Sequence, residues 1–111
     1  MVIREQQHGA VTILKPEGPI VEAEASDLRT RVEQAMKNHL GRVVLDMSAV
    51  PLVDSGGLEA LVDVADQVSS SGRWLKLCSA NRTLREVLEL TGLSAHFEHY
   101  EDTGSAVRSF L

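Results

Sequence analysis

Apolar and polar positions at the head of the chain follow the two-residue period of extended structure over Val2–Gln7 and again over Ala10–Pro16. The His8-Gly9 step between them predicts a tight reversal, so the chain opens on a β-hairpin. Gly18 and Pro19 end this pattern. Leu28, Val32, Ala35, Met36 and Leu40 then recur at three- and four-residue spacing up to Gly41, which is the period of an amphipathic helix with a glycine stop. Arg42–Asp46 is short, β-branched and nearly all apolar, as in a strand covered on both faces, and this places it centrally in the sheet.

A second helical period runs through Leu58, Leu61, Val62, Ala65 and Val68 and ends in Ser69-Ser70-Ser71-Gly72. Trp74–Cys78 reads as a strand with Trp74, Lys76 and Cys78 on one face and Leu75 and Leu77 on the other. A third helix begins near Arg82, carries Leu84, Val87 and Leu88, and stops at Gly92. Phe97–Tyr100 is a last short strand, and Gly104–Leu111 a closing helix with Val107, Phe110 and Leu111 inward. The order β-β-α-β-α-β-α-β-α predicts an α/β domain, a mixed sheet with crossover helices, spanning residues 1–111 as one unit.

Composition narrows the function. With 43% hydrophobic but 4% aromatic residues, the core has to be built from Val, Leu, Ile and Ala. The 11 Lys and Arg against 16 Asp and Glu leave a formal charge of −5, which argues against tracking nucleic-acid phosphates and against docking directly on anionic membranes. A lone cysteine, Cys78, gives no disulfide and no redox or zinc pair, and the N-terminal residues lack the apolar core of a leader peptide. These features predict a soluble cytoplasmic protein.

The segment richest in chemistry is Val43–Leu58, where a buried strand leads through a loop to Asp54-Ser55-Gly56-Gly57 and then a helix. The first N–H groups of a helix lack intrahelical partners and the positive end of its dipole lies there, so Ser55 stands where an oxyanion is stabilised. Asp54 or Ser55 equally suits a plain N-cap, with Gly56 and Gly57 freeing the turn. Asp-Ser-Gly-Gly also surrounds the nucleophile of chymotrypsin-like proteases, but a serine opening a helix in a helix-rich chain of this length is the wrong setting. None of His8, His39, His96 and His99 is placed by motif to serve Ser55, and the His96/His99 pair has no third ligand nearby. No catalytic set, metal site or cofactor is expected, and the chain is read as a non-enzyme.

The strand, the loop and Asp54-Ser55-Gly56-Gly57-Leu58 resemble the signature of the STAS domain, named for sulfate transporters and anti-sigma factor antagonists. The likeness extends over nearly the whole chain: opening hairpin, long first helix, Leu45-Asp46-Met47-Ser48 before the signature loop, the strand after Gly72, the Arg82–Gly92 helix and a terminal helix. It implies the anti-sigma factor antagonist fold, a mixed and mostly parallel sheet of about four to five strands with about four helices. It also implies the partner switching of the free-standing bacterial members. There the residue matching Ser55 is phosphorylated by an anti-sigma factor that is also a serine kinase, the unphosphorylated form binds that kinase, and a cognate phosphatase restores it. The free protein is expected to be a monomer.

The chain departs from the family pattern twice. Gly56 follows the acceptor where Ser, Thr or Ala is common, and Gly-Gly resembles the STAS subunits of phospholipid ABC transport systems. That leaves an alternative: a transporter-associated subunit or scaffold that binds an ATPase without a phosphorylation cycle. Gly18-Pro19-Ile20-Val21-Glu22 also replaces a Gly-Glu-Leu/Ile-Asp pattern beside the acceptor, so Pro19 and Glu22 are expected to bear on partner choice.

Asp54, Glu59, Asp63 and Asp66 are accompanied by no Lys or Arg between positions 54 and 71. At 100° per residue Glu59, Asp63 and Asp66 fall within about 60° of one another, opposite Leu58, Leu61, Val62 and Ala65. They read either as a solvated face or as a docking surface for a basic partner, with Ala60 and Val64 on its flank as the apolar centre. Asp54 is read either as a turn residue or as the group that helps the Ser55 hydroxyl, by orienting it or by taking its proton.

Overall fold

The computed structural model describes residues 1–39 and 42–111; Leu40 and Gly41, expected to finish the first helix, lie outside the described residues. Strands β1 (Val2–His8) and β2 (Val11–Glu17) pair antiparallel with His8 opposite Val11, leaving Gly9 and Ala10 as the two-residue loop. Gly9 has φ +59, the positive angle that a primed hairpin turn requires at its first central position. A 3-10 turn at Glu22–Glu24 leads into α1 (Ala25–His39). The remaining elements are β3 (Val43–Asp46), α2 (Ser55–Ser69), β4 (Leu75–Cys78), α3 (Arg82–Leu90), β5 (Phe97–Tyr100) and α4 (Thr103–Arg108).

The sheet runs β1-β2-β3-β4-β5, parallel from β2 onward. Because each parallel strand is added on the same side of its predecessor, right-handed crossovers put α1, α2 and α3 on one face. Leu28, Val32, Leu61, Val64, Leu84 and Leu88 accordingly share a core with Leu14, Val43, Leu45, Leu75, Leu77 and Phe97. β3 is central, and Val43, Val44 and Leu45 are all fully buried, as its unbroken apolar run requires.

The opposite face carries Val11, Ile13, Val44 and Cys78, covered by Ala106 of α4. Lys76 emerges on this face only 6% exposed. Its ammonium donates to Glu98 Oε1 at 2.7 Å and lies 4.3 Å from the centre of the Phe110 ring, so the cation helps to hold the C-terminal segment to the sheet. That hydrogen bond from Lys76 holds the Glu98 carboxyl below its ordinary range. Burial pushes the Cys78 thiol up and keeps it protonated. Leu111, expected inward, is 99% exposed because α4 ends at Arg108, while Val107 and Phe110 do pack on the second core.

Candidate functional site

Ser55 is the first residue of α2, and its side chain is exposed. Asp54 is the N-cap: its Oδ1 accepts from the Gly57 N–H at 2.7 Å, and its Oδ2 accepts from the Glu22 N–H at 3.2 Å. Both carboxylate oxygens are thus taken up by backbone donors. One side chain fastens the start of the helix to the segment 32 residues earlier, so Asp54 has a cap and turn role.

That earlier segment forms a strap. Gly18 donates to Ala49 O, Ile20 to Leu52 O, and Asp54 back to Ile20 O, at 3.0, 3.0 and 3.2 Å. Ile20 and Val53 form a parallel bridge. The backbone beneath Ser55 is therefore held on two sides. Gly56 and Gly57 do not supply turn freedom as expected, because both lie inside the first helical turn. They are required by close approach: a Cβ on Gly56 would stand 2.6 Å from Glu22 Cβ, and one on Gly57 would stand 2.1 Å from Ile20 O. Glu22 is exposed beside the acceptor loop, and Pro19 is exposed on the same strap.

Replacing Asp54 by Ala removes two backbone hydrogen bonds at once. We expect a loss of about 2 kcal/mol, at the upper end for a cap, with Asp54→Asn recovering more than half of it. Urea unfolding of the three proteins checks this, and equal stability of Asp54→Ala and wild type would contradict it.

Glu59, Asp63 and Asp66 are exposed along α2, as their period predicts. Asp63 is not a free charge: its Oδ2 accepts from Arg29 Nη2 at 2.7 Å and Nε at 3.1 Å, a contact from α1 with no local signal in the sequence. Asp66 lies 3.7 Å from His96 Nδ1. Glu59 has no ion pair among the described residues.

The apolar flank is corrected. Ala60 and Val64 are fully buried and unavailable to a partner. The buried arc of α2 comprises Gly57, Ala60, Leu61, Val64, Ala65 and Val68, rotated about 80° from the expected one. The cause is that α2 packs against α1 as well as the sheet. Leu58 and Val62, expected in the core, are only partly buried and rim the site, as does Leu52, which is 53% exposed. An exposed hydroxyl is therefore set among apolar rim residues and carboxylates, on a backbone clamped from below.

The family model for the STAS domain matches residues 2–106. BtrV of Bordetella bronchiseptica, provisionally named an anti-sigma factor antagonist, is 28% identical over 94 residues, which are 85% of this chain and 81% of that protein. A crystal structure from Thermotoga maritima, provisionally described in the same terms, superposes with a TM-score of 0.87 at 25% identity, covering 96% of this chain and 92% of the other. The murine anion transporter Slc26a9 has the same fold within 18% of its length, with a TM-score of 0.77 over 95% of this chain at 18% identity.

Proposed function

The chain belongs to the STAS domain family, and from that premise we propose that it acts as an anti-sigma factor antagonist, with Ser55 as the phosphoacceptor of a partner switch. Unphosphorylated, the protein binds an anti-sigma factor that is also its serine kinase. Phosphorylation of Ser55 ends that binding, and a phosphatase restores it. The observation that carries the reading is the exposed Ser55 hydroxyl standing on a backbone that Asp54 and the strap hold in place. A clamped acceptor can be presented to a kinase without an ordering cost, and the rim of Leu52, Leu58 and Val62 gives a partner apolar surface to cover.

The close approach of Glu22 to Gly56 is compatible with either reading, so a transporter-associated scaffold stands as the alternative. Among the described residues no helix is long and apolar enough to cross a membrane.

Phosphate-affinity electrophoresis of the protein from its native host is the direct test. A retarded band is expected under some growth condition in wild type and never in Ser55→Ala. No retarded wild-type band under any condition, or the same band in Ser55→Ala, would overturn the switch and leave the constitutive ATPase-binding scaffold as the better reading.

A further inference from the structure

The loop before Ser55 presents four consecutive carbonyls, those of Ala49, Val50, Pro51 and Leu52, and each is taken up from outside the loop. The strap takes the outer two: Gly18 donates to Ala49 O and Ile20 to Leu52 O, both at 3.0 Å. The inner two go to a single side chain. Asn81 Nδ2 donates to Val50 O at 3.3 Å and to Pro51 O at 3.2 Å. Sheet order explains the arrangement, since the loop follows β3 while the strap follows β2 and Asn81 follows β4, the strands on either side.

Asn81 also starts α3, because its Oδ1 accepts from the Leu84 N–H at 2.8 Å as the N-cap. The cap oxygen faces a donor, so the amide nitrogen is the end left to face the two carbonyls. Two residues earlier the chain bends at Ser79, whose φ of +57 is a positive value on a non-glycine residue. That bend is fixed to the end of β5: the Ser79 N–H donates to Tyr100 O and its hydroxyl to Glu101 O, both at 3.1 Å. Within the loop, Pro51 has no N–H and the Val50 N–H is spent on Met47 O at 3.1 Å. Packing does not replace the Asn81 bonds, since a hollow of about 70 Å³ is lined by Leu52 and Val53 of the loop and by Leu84 and Val87 of α3.

We infer that Asn81 is a positioning residue for the acceptor, holding from the α3 side the loop that the strap holds from the other. The inference rests on the reading of Ser55 as the phosphoacceptor. Asn81 bonds to the loop and not to Ser55, and it acts by limiting the opening of residues 50–54, so that a kinase meets the hydroxyl on a loop already ordered.

Asn81→Asp and Asn81→Gly separate this role from capping. Asp caps a helix as well as Asn does and Gly costs only a few tenths of that effect, yet neither can donate to Val50 O or Pro51 O. Amide hydrogen exchange of the full chain reads the loop through the Ile20 and Asp54 N–H groups, which bond to Leu52 O and Ile20 O. Both are expected to exchange about tenfold faster in both variants. In the native host, phosphate-affinity electrophoresis at equal protein level should show the retarded fraction reduced about threefold or more in both. Gly72→Ala, strained away from the loop, should keep the wild-type fraction. Unchanged exchange in both variants, faster exchange in Asn81→Asp alone, a wild-type retarded fraction in both, or an equal fall in Gly72→Ala would each overturn the role of Asn81 while the Ser55 reading stands. No retarded band in wild type would instead overturn the Ser55 reading, and this role with it.

Discussion

Gly57→Ala is expected to destabilise the protein more than any other single methyl addition at a glycine. The new Cβ would stand 2.1 Å from Ile20 O, 2.7 Å from Val53 Cγ1 and 2.9 Å from the Ile20 carbonyl carbon. Ile20 is fully buried, and its carbonyl also accepts from the Asp54 N–H, so it cannot withdraw without undoing the strap. Overpacking of a core side chain commonly costs about 1–3 kcal/mol, and a clash against fixed backbone belongs above that range. Higher helix propensity returns about 1 kcal/mol, so a net loss of roughly 3 kcal/mol is expected. Thermal unfolding should shift down by about 10 °C or more. Gly72→Ala is the control: it has a φ of +83 and open space around it, so it bears only conformational strain of about 1–2 kcal/mol. A Gly57→Ala protein within 1 kcal/mol of wild type would show that the strap yields and does not define the acceptor loop.

Gly56→Ala separates packing from function at the same loop. Its Cβ would meet Glu22 Cβ at 2.6 Å and Glu22 Cα at 2.9 Å, so the Glu22 backbone, tied through its N–H to Asp54 Oδ2, would have to shift. The strap is the element that adapts there, so the family's usual small side chain at this position implies a slightly different path for the loop that carries Pro19 and Glu22.

The strands, the hairpin and the caps are legible because their causes are local. β3 is read from the short run Arg42–Asp46, and the end of α3 from Gly92, whose φ of +75 closes the helix while Leu93 N–H reaches back to Leu88 O. What escaped the sequence depends on residues far apart in it. No local pattern announces that Glu22 packs on Gly56, that Arg29 occupies Asp63, or that Asp54 reaches the Glu22 N–H. The apolar arc of α2 was misplaced for a related reason. Hydrophobicity ranks Leu58 and Val62 above Ala60, but a helix pressed between a sheet and another helix buries its small residues at the close contacts, and Ala60 and Val64 are at 0% exposure. The larger side chains are left at the margin, where a binding surface needs them.

That margin sets the size of the effect expected at Ser55. On the proposed switch, Ser55→Asp places a carboxylate in the first turn with Leu58 and Glu59, beside Asp54, and a partner covering the rim has to desolvate it. The helix itself tolerates the substitution, since an acid in the first turn is favourable by about 0.3–1 kcal/mol. Stability and binding should therefore separate: Ser55→Asp unfolds at or slightly above the wild-type temperature, yet binds the anti-sigma factor about 10–100-fold more weakly than Ser55→Ala, equivalent to about 1.4–2.8 kcal/mol. Because Ser55 stands inside the rim, the loss should lie in the dissociation rate. Charge reversal at exposed Glu59, by contrast, should act on the association rate and fade with added salt. Surface plasmon resonance at two salt concentrations reads both rates. Equal affinities for Ser55→Asp and Ser55→Ala would show that charge at this hydroxyl does not govern the contact, and a phosphate carrying about −1.5 to −2 charges at the same atom would then have no route to switching it.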